Sequence, residues 1–253
     1  MSSYARPGLN VALSAWALLC VLIVYWLGGM FLPFLPTIGE IAAEIPEFFT
    51  SAETYAALSA TAWRVAISLG VALLLGFGVA QLIVAGGLPG RIASVYINAL
   101  LTLPSTIAAL VALFVFRREP IAVYVVVVLV ILPFVTMTLV EGIRSIDPKL
   151  TMMAEAYRFS PGQHILHVVL PQLAPFAVAA IRNENAHAWR VVVLAELFAV
   201  NSGMGWQFTR AWDQFLLNEV MLWLIAFITI LLASEYLILV PLERMALRWR
   251  RKT

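Results

Sequence analysis

The side chains able to do chemistry crowd into one stretch, Arg182-Asn183-Glu184-Asn185-Ala186-His187-Ala188-Trp189-Arg190, and that stretch lies inside an apolar block. If the block is a helix entering lipid near Pro171, Arg182 sits about 16 Å deep at 1.5 Å per residue. An ionisable group at that depth costs roughly 2.5–3.5 kcal/mol and rarely faces lipid. At about 100° per residue, Arg182, Asn185, Trp189 and Glu196 form one stripe, with Asn183, His187 and Arg190 beside it. Ala177, Ala180, Ala188 and Ala195 occupy the opposite side with Glu184, and small residues there let a neighbouring helix approach closely. Such a helix packs on one face and lines a water-filled path on the other, and Arg182 and Arg190 would suit an anion. Buried ion pairs, Glu184 with His187 or Arg190, account for the same pattern. Both readings stay open on the sequence. Glu235 is a further intramembrane carboxylate, and Arg64 either snorkels to the interface or pairs with an acid.

Other chemistries leave no trace. A Gly-x-x-x-x-Gly-Lys-Ser/Thr phosphate loop is absent, so the chain does not itself hydrolyse nucleotide through one. Ser202 follows Val200-Asn201, which breaks the Gly-x-Ser-Gly pattern of an intramembrane serine protease. His187 is the one histidine within an apolar block, and neither paired aspartates nor a multi-His metal motif occurs. The single cysteine, Cys20, rules out a disulfide within the chain. The net charge of +2 is too small and scattered for nucleic acid.

The elements that must position the polar stretch follow from hydropathy. Of 253 residues 62% are apolar and 12% charged, with a mean hydropathy of +0.94. Soluble domains carry about 25% charged residues. The apolar excess falls into blocks of about 20 residues, each able to cross a hydrocarbon core of about 30 Å. Six spans are predicted, at 9–32, 62–85, 92–116, 121–140, 172–199 and 220–241. Pro33 and Pro36 close the first, Gly86-Gly87-Leu88-Pro89-Gly90 turns between the second and third, and Arg117-Arg118-Glu119-Pro120 makes a hairpin of the next pair. The first block is too long for a cleaved signal segment and is read as a retained span.

With the N-terminus inside, ten of the sixteen basic residues are cytoplasmic: Arg6, Arg91, Arg144, Lys149, Arg158, Arg244, Arg248, Arg250, Arg251 and Lys252. Only Arg117, Arg118 and Arg210 fall in outer loops, so both termini are assigned to the cytoplasm. The first outer loop carries Glu40, Glu44, Glu47 and Glu53. Its Ile41, Ile45, Phe48 and Phe49 recur at helical spacing, which predicts a short amphipathic surface helix, with a plain solvated loop as the alternative.

The inner loop from Glu141 to Pro171 is far longer than a connection requires. Asp147-Pro148-Lys149 opens a helical run from Leu150 to Phe159. Ser160-Pro161-Gly162 turns, and a second short helix runs from Gln163 to Leu170, making a cytoplasmic knob. This loop resembles the Glu-Ala-Ala loop of permeases of ATP-binding-cassette (ABC) importers, in which a Glu, two alanines and a Gly precede a Leu-Pro. Counting back nineteen residues from Pro171 aligns Met152 with the Glu, Ala154 with the second alanine and Arg158 with the Gly. Tyr157-Arg158-Phe159-Ser160, Val168-Val169-Leu170-Pro171, Ala195-Glu196-Leu197, Ser202-Gly203-Met204-Gly205-Trp206 and Leu242-Glu243-Arg244 resemble the sulfonate, taurine and nitrate branch. Leu103-Pro104-Ser105 looks like that branch's proline turn with its second proline missing.

The resemblance implies an all-α membrane fold like that of type I importer permeases, with residues 58–253 as the transmembrane domain and 1–57 as an added span and outer loop. It implies a bacterial inner-membrane subunit, itself non-catalytic, in the path of a small solute. The implied partners are an ABC ATPase that uses ATP and Mg, an extracytoplasmic solute-binding protein and a second permease copy in a homodimer. Met152, Ala154, Tyr157, Arg158, Ser160, Gly162, Leu170 and Pro171 are the expected ATPase-docking residues. Arg182, Asn185, Trp189 and Glu196 are the expected path residues. Met152 and Arg158 depart from the motif and alter the charge of the docking surface. A channel, a secondary transporter or a membrane-embedded enzyme are the competing classes; repeated halves, usual in secondary transporters, are not seen. Reporter fusions placed after Glu44 and after Lys149 should report opposite sides of the membrane, and the same side for both would overturn the topology.

Overall fold

In the computed structural model, residues 34–102, 104–115 and 119–246 are described, together with 16, 19–20, 23–29 and 31. The predicted first span therefore lies largely outside the described residues, as do Arg117, Arg118 and the basic tail from 247 to 253. Among the described residues the structure is helical throughout, without a strand.

The acidic segment expected to form an amphipathic helix is helical: α1, Ile38–Thr50. A reciprocal cap starts it: Thr37 Oγ1 accepts from the Glu40 amide at 3.2 Å and the Thr37 amide donates to the Glu40 carboxylate at 2.9 Å. Its apolar side seats Ile41 in the protein and sets Phe48 edge-on to Trp223, ring centroids 4.9 Å apart. Helix α2, Ala52–Ala85, is 34 residues long, begins ten residues before the predicted span and reaches roughly 51 Å. Gly86 and Gly87 then turn the chain at positive φ. Pro89 and Gly90, expected in that turn, belong instead to the first turn of α3, Gly87–Thr102, where a missing proline N–H costs nothing. The predicted third span is two helices, α3 and α4, Ser105–Val115, interrupted at Pro104. A proline removes one helical hydrogen bond and crowds the preceding turn, which is the physical reason for the break.

Helix α5, Pro120–Arg144, is the centre of the bundle. It carries no charge before Glu141, and Val123, Val126, Val127, Ile131, Val135 and Leu139 are buried against α2 and α8. After it come α6, Pro148–Ala156, and α7, Pro161–His164, each with proline in its first turn. The second knob helix does not end at Leu170-Pro171. It runs through a π-turn, Ile165–Val169, into α8, Leu170–Ala199. A second π-turn, Ser234–Leu239, joins α10, Leu217–Ala233, to α11, Val240–Ala246; between α8 and α10 lies α9, Met204–Asp213. Each π-turn is followed, one residue further on, by a proline, Pro171 and Pro241. The amides of Leu170 and Val240 reach back five residues to Ile165 and Glu235. That wider turn makes room for a ring that would otherwise press on the preceding carbonyl, so the helix continues where a break was expected. Among the described residues four helical segments are long and apolar enough to cross a membrane: Ala52–Ala85, Pro120–Arg144, Pro161–Ala199 and Leu217–Met245.

The knob's first helix also ends earlier than predicted, and Arg158 explains why. Its φ is +53°, in the left-handed region. The Phe159 amide donates to Ala154 O and the Arg158 amide to Glu155 O, both at 2.9 Å, the paired bonds of a Schellman stop. The related motif has glycine here for a backbone reason: an L-residue in this conformation costs roughly 1–2 kcal/mol. Arg158→Gly should stabilise the knob by about 1 kcal/mol, read as about fivefold slower hydrogen exchange at Phe159. Unchanged or faster exchange would show that the left-handed stop carries no strain.

Candidate functional site: the polar helix and the cytoplasmic knob

Three elements meet at Glu196, on the last turns of α8. Its side chain is 0% exposed. Arg64 of α2 donates to its carboxylate at 2.5 Å, Thr61 Oγ1 lies 2.9 and 3.0 Å from its two oxygens, and the Gly205 amide donates at 3.0 Å. Arg64 also donates to the Ser202 carbonyl at 2.9 Å and to Ser202 Oγ at 2.6 Å, and the Met204 amide donates to Thr61 Oγ1 at 2.8 Å. The Ser202-Gly203-Met204-Gly205 turn can fold over the carboxylate because two of its members lack side chains. Gly203 takes φ +96°, and a Cβ there would strike the Glu196 carboxylate; one on Gly205 would strike Val193 O and Glu196 Cβ. Arg64, given no role from the sequence, is thus the partner of an expected path residue. A lone cation in one span and a carboxylate close to the end of another were the available signal.

The remaining members of the expected path stripe are distributed differently. Asn185 is buried and its amide donates to Ser234 Oγ at 3.0 Å. Trp189 is buried with its indole N–H unpaired. Arg182 is half-buried; it donates to Glu235 at 2.7 Å and pairs with Glu243, fastening α8 to the second π-turn and to the helix that follows it. In this conformation Asn185, Trp189 and Glu196 therefore point into the chain's own bundle. The reason is the same for all three: α2, α5 and the last helix surround α8 on that side, and each polar group there needs a partner within the protein. Ala180, Ala188 and Ala195 are fully buried, consistent with the small-residue face. Glu184 pairs with His187 on its own helix at 3.0 Å, and the edge of Phe134 meets the imidazole at 5.5 Å. The exposed polar residues of α8 are Asn183 and Arg190, about a third of a turn from the predicted stripe.

On the knob, Met152 and Tyr157 are 58% and 72% exposed, and Met153, Phe159, Ile165, Leu166 and Leu170 are exposed as well. Arg158, Ser160 and Gly162 are exposed, and Pro171 is half-buried. Ser160 caps α7 through its hydroxyl while the Gln163 side chain accepts from the Ser160 amide at 2.9 Å. Ala154 differs from the others at 3% exposure. Its small size serves packing inside the knob, not contact with a partner. Gly162 has ordinary negative φ and open space where a side chain would point, so the turn does not require glycine there.

Two of the open cavities are lined largely by polar residues. One of about 600 Å³ lies above the Glu196 cluster, lined by Arg64, Asn201, Ser202, Trp206, Thr209 and Asp213 among others. The other, about 330 Å³, is lined by Glu44, Glu47, Glu53, Arg210 and Glu219 over Phe48 and Trp223. Arg210 bridges Glu53 at 2.9 Å and Glu219 at 3.9 Å.

A bundle of long apolar helices, one of them polar at its centre and running on into a helical knob, has the make-up of a multi-pass membrane protein. The chain belongs to the family described as binding-protein-dependent transport system inner membrane component, whose pattern matches residues 72–242. It is 28% identical over 240 residues to the putative aliphatic sulfonates transport permease protein SsuC of Bacillus subtilis (strain 168), covering 91% of this chain and 85% of that one. It is 28% identical over 94 residues to the nitrate import permease protein NrtB of Synechococcus elongatus, covering 37% of this chain and 32% of that one. Its fold is similar to a chain of an inward-facing MetNI methionine ABC transporter, with a TM-score of 0.56, 17% identity, and 78% of this chain and 97% of that one covered. A chain from an amino acid ABC transporter also gives a TM-score of 0.56 at 17% identity, covering 86% of this chain and 99% of that one. The protein is therefore a multi-pass permease component of a binding-protein-dependent ABC importer.

Because Glu196 is buried, removing its cation leaves an uncompensated charge. Arg64→Ala should cost about 3–5 kcal/mol, read as a large fall in thermal stability in detergent. Arg182→Ala, at a half-exposed cluster, should cost much less. An Arg64→Ala protein that melts like the parent would show that Arg64 does not hold Glu196.

Proposed function

We propose that two copies of this permease enclose a path for a small anionic solute, delivered by an external binding protein and driven by a separate ATPase subunit that grips the knob. The observation that carries this is the knob's uncovered apolar and aromatic surface at Met152, Met153, Tyr157 and Phe159, on a loop assigned to the aqueous, cytoplasmic side. A contiguous patch of that kind calls for a protein partner. ATP and Mg are used by that partner, and this chain serves as a non-catalytic lever with both termini in the cytoplasm. Residues 58–253 form the transmembrane domain and 1–57 the added N-terminal span and surface helix. The anionic solute is favoured by relatives named for sulfonates and nitrate. Basic side chains on the polar helix agree with it.

The docking residues on this reading are Met152, Tyr157, Arg158, Ser160 and Gly162, while Ala154 and Pro171 support them from within. Gly162→Glu introduces a charged side chain into open space, so the knob itself should fold unchanged. Co-purification of the ATPase should fall at least about tenfold, a loss of about 1.4 kcal/mol, while membrane insertion stays normal. Normal co-purification together with normal transport would move the docking surface off this loop. Ala154→Glu is a poor substitute, since it would disrupt the knob's interior.

A further inference from the structure

We propose that Arg190, with Asn183 and His187 on the same exposed stripe of α8, is the cation that receives a small oxyanion partway through the membrane. The inference rests on the two-copy path proposed above and assigns its charge-selecting residue. Arg190 lies twenty residues beyond Leu170 and nine before Ala199, roughly 30 Å and 13 Å along the helix, within the apolar segment. It is exposed on the outside of this chain. Arg64, Arg182 and Arg210 each have a carboxylate partner; Arg190 has none. All fourteen acidic residues of the chain lie among the described positions, and none of them forms an ion pair with Arg190.

A lipid-facing arginine at this depth would escape by reaching toward the nearer, outer interface. Arg190 does the reverse. Its Nε–H donates to Ala186 O at 3.1 Å, which lays the side chain back along the helix toward the cytoplasmic side and leaves its terminal nitrogens without a hydrogen-bond partner among the described residues. That posture fits a hydrated space. Ala186 and Ala179, both partly exposed, flank the stripe, and Asn183 offers an exposed amide two turns along the helix. The one charge pair nearby is internally balanced, since His187 Nδ1 meets the buried Glu184 carboxylate. Arg182 is unsuited to the role, because Glu235 and Glu243 already claim it. The planar fork of a guanidinium matches the paired oxygens that sulfonate, nitrate and bicarbonate have in common. A single such contact is weak enough for the solute to leave again.

The test uses the assembled transporter in membrane vesicles, with Cys20→Ser and a single Ala186→Cys reporter. Its rate of modification is measured with a negatively charged ethylsulfonate methanethiosulfonate and a positively charged trimethylammonium one, each normalised to its rate with a free thiol. The anionic reagent should react on the order of tenfold faster. The preference should vanish in Arg190→Gln and persist in Arg190→Lys, with the ATPase still co-purifying in both. Ala179→Cys, on the same stripe, repeats the measurement should Ala186→Cys fail to assemble. Equal preference with and without Arg190 would overturn the assignment and leave the path intact. Silence of both reporters toward both reagents, in every nucleotide state, would overturn the assignment and the path together.

Discussion

A carboxylate buried at 0% exposure inside a membrane bundle sets the terms for everything around it. Leaving Glu196 unpaired would cost several kcal/mol, so α2 must bring Arg64 and Thr61 to it and the chain after α8 must bring its amides. Those demands fix three elements relative to one another: the register of α2 against α8, and the position of the turn that starts α9. They also dictate composition. Ser202 has to present an acceptor pair to Arg64, and Gly203 and Gly205 have to be small enough to cover the carboxylate. Three motifs that look unrelated along the chain, one in the second span, one ending α8 and one beginning α9, are a single hydrogen-bonded cluster.

From that anchor, α8 runs without interruption to the knob. Pro161–Ala199 is a 39-residue helical segment, roughly 58 Å long. The π-turn at Ile165–Val169 absorbs Pro171 and keeps the knob continuous with the span. On the reading proposed here, a push on the knob is therefore delivered along a stiff rod whose far end is held at Glu196 and whose middle is clamped to the last helix by Arg182. The last helix uses the same device at Pro241, and its π-turn supplies both Ser234, which meets Asn185, and Glu235, which meets Arg182. π-turns recur at functional positions because they re-aim side chains without ending a helix. Here the second one sets partners for two of the four residues expected to line the path.

The departures from the coupling motif divide by physical cause. Arg158 stands where a left-handed backbone favours glycine, so its consequence is first of all conformational. Met152 stands where the motif has a carboxylate, and its side chain is exposed beside Met153 and Tyr157. The knob thus offers an apolar surface in place of a charged one, while its stops and caps, at Asp147, Arg158 and Ser160, remain formed. Ala154 retains the motif's residue for a reason internal to the knob.

The sequence by itself determined the membrane character, the existence and approximate limits of the long spans, the amphipathic outer helix and the knob. Each of these follows from local composition, period and turn residues. It also carried the family resemblance, because the order and spacing of several short motifs can be read without coordinates. Which side of α8 faces its own bundle was decided only by tertiary structure. A wheel drawn on one helix groups Arg182, Asn185, Trp189 and Glu196 correctly, but it cannot show that Arg64, Ser234, Glu235 and Glu243 wait on other elements to receive three of them. The same holds for the π-turns: a proline read along the chain predicts a break, and only packing on both sides makes a wider turn cheaper than an end. Pairing across a bundle joins residues more than a hundred positions apart, as Arg64 and Glu196 are, and no local period encodes that distance.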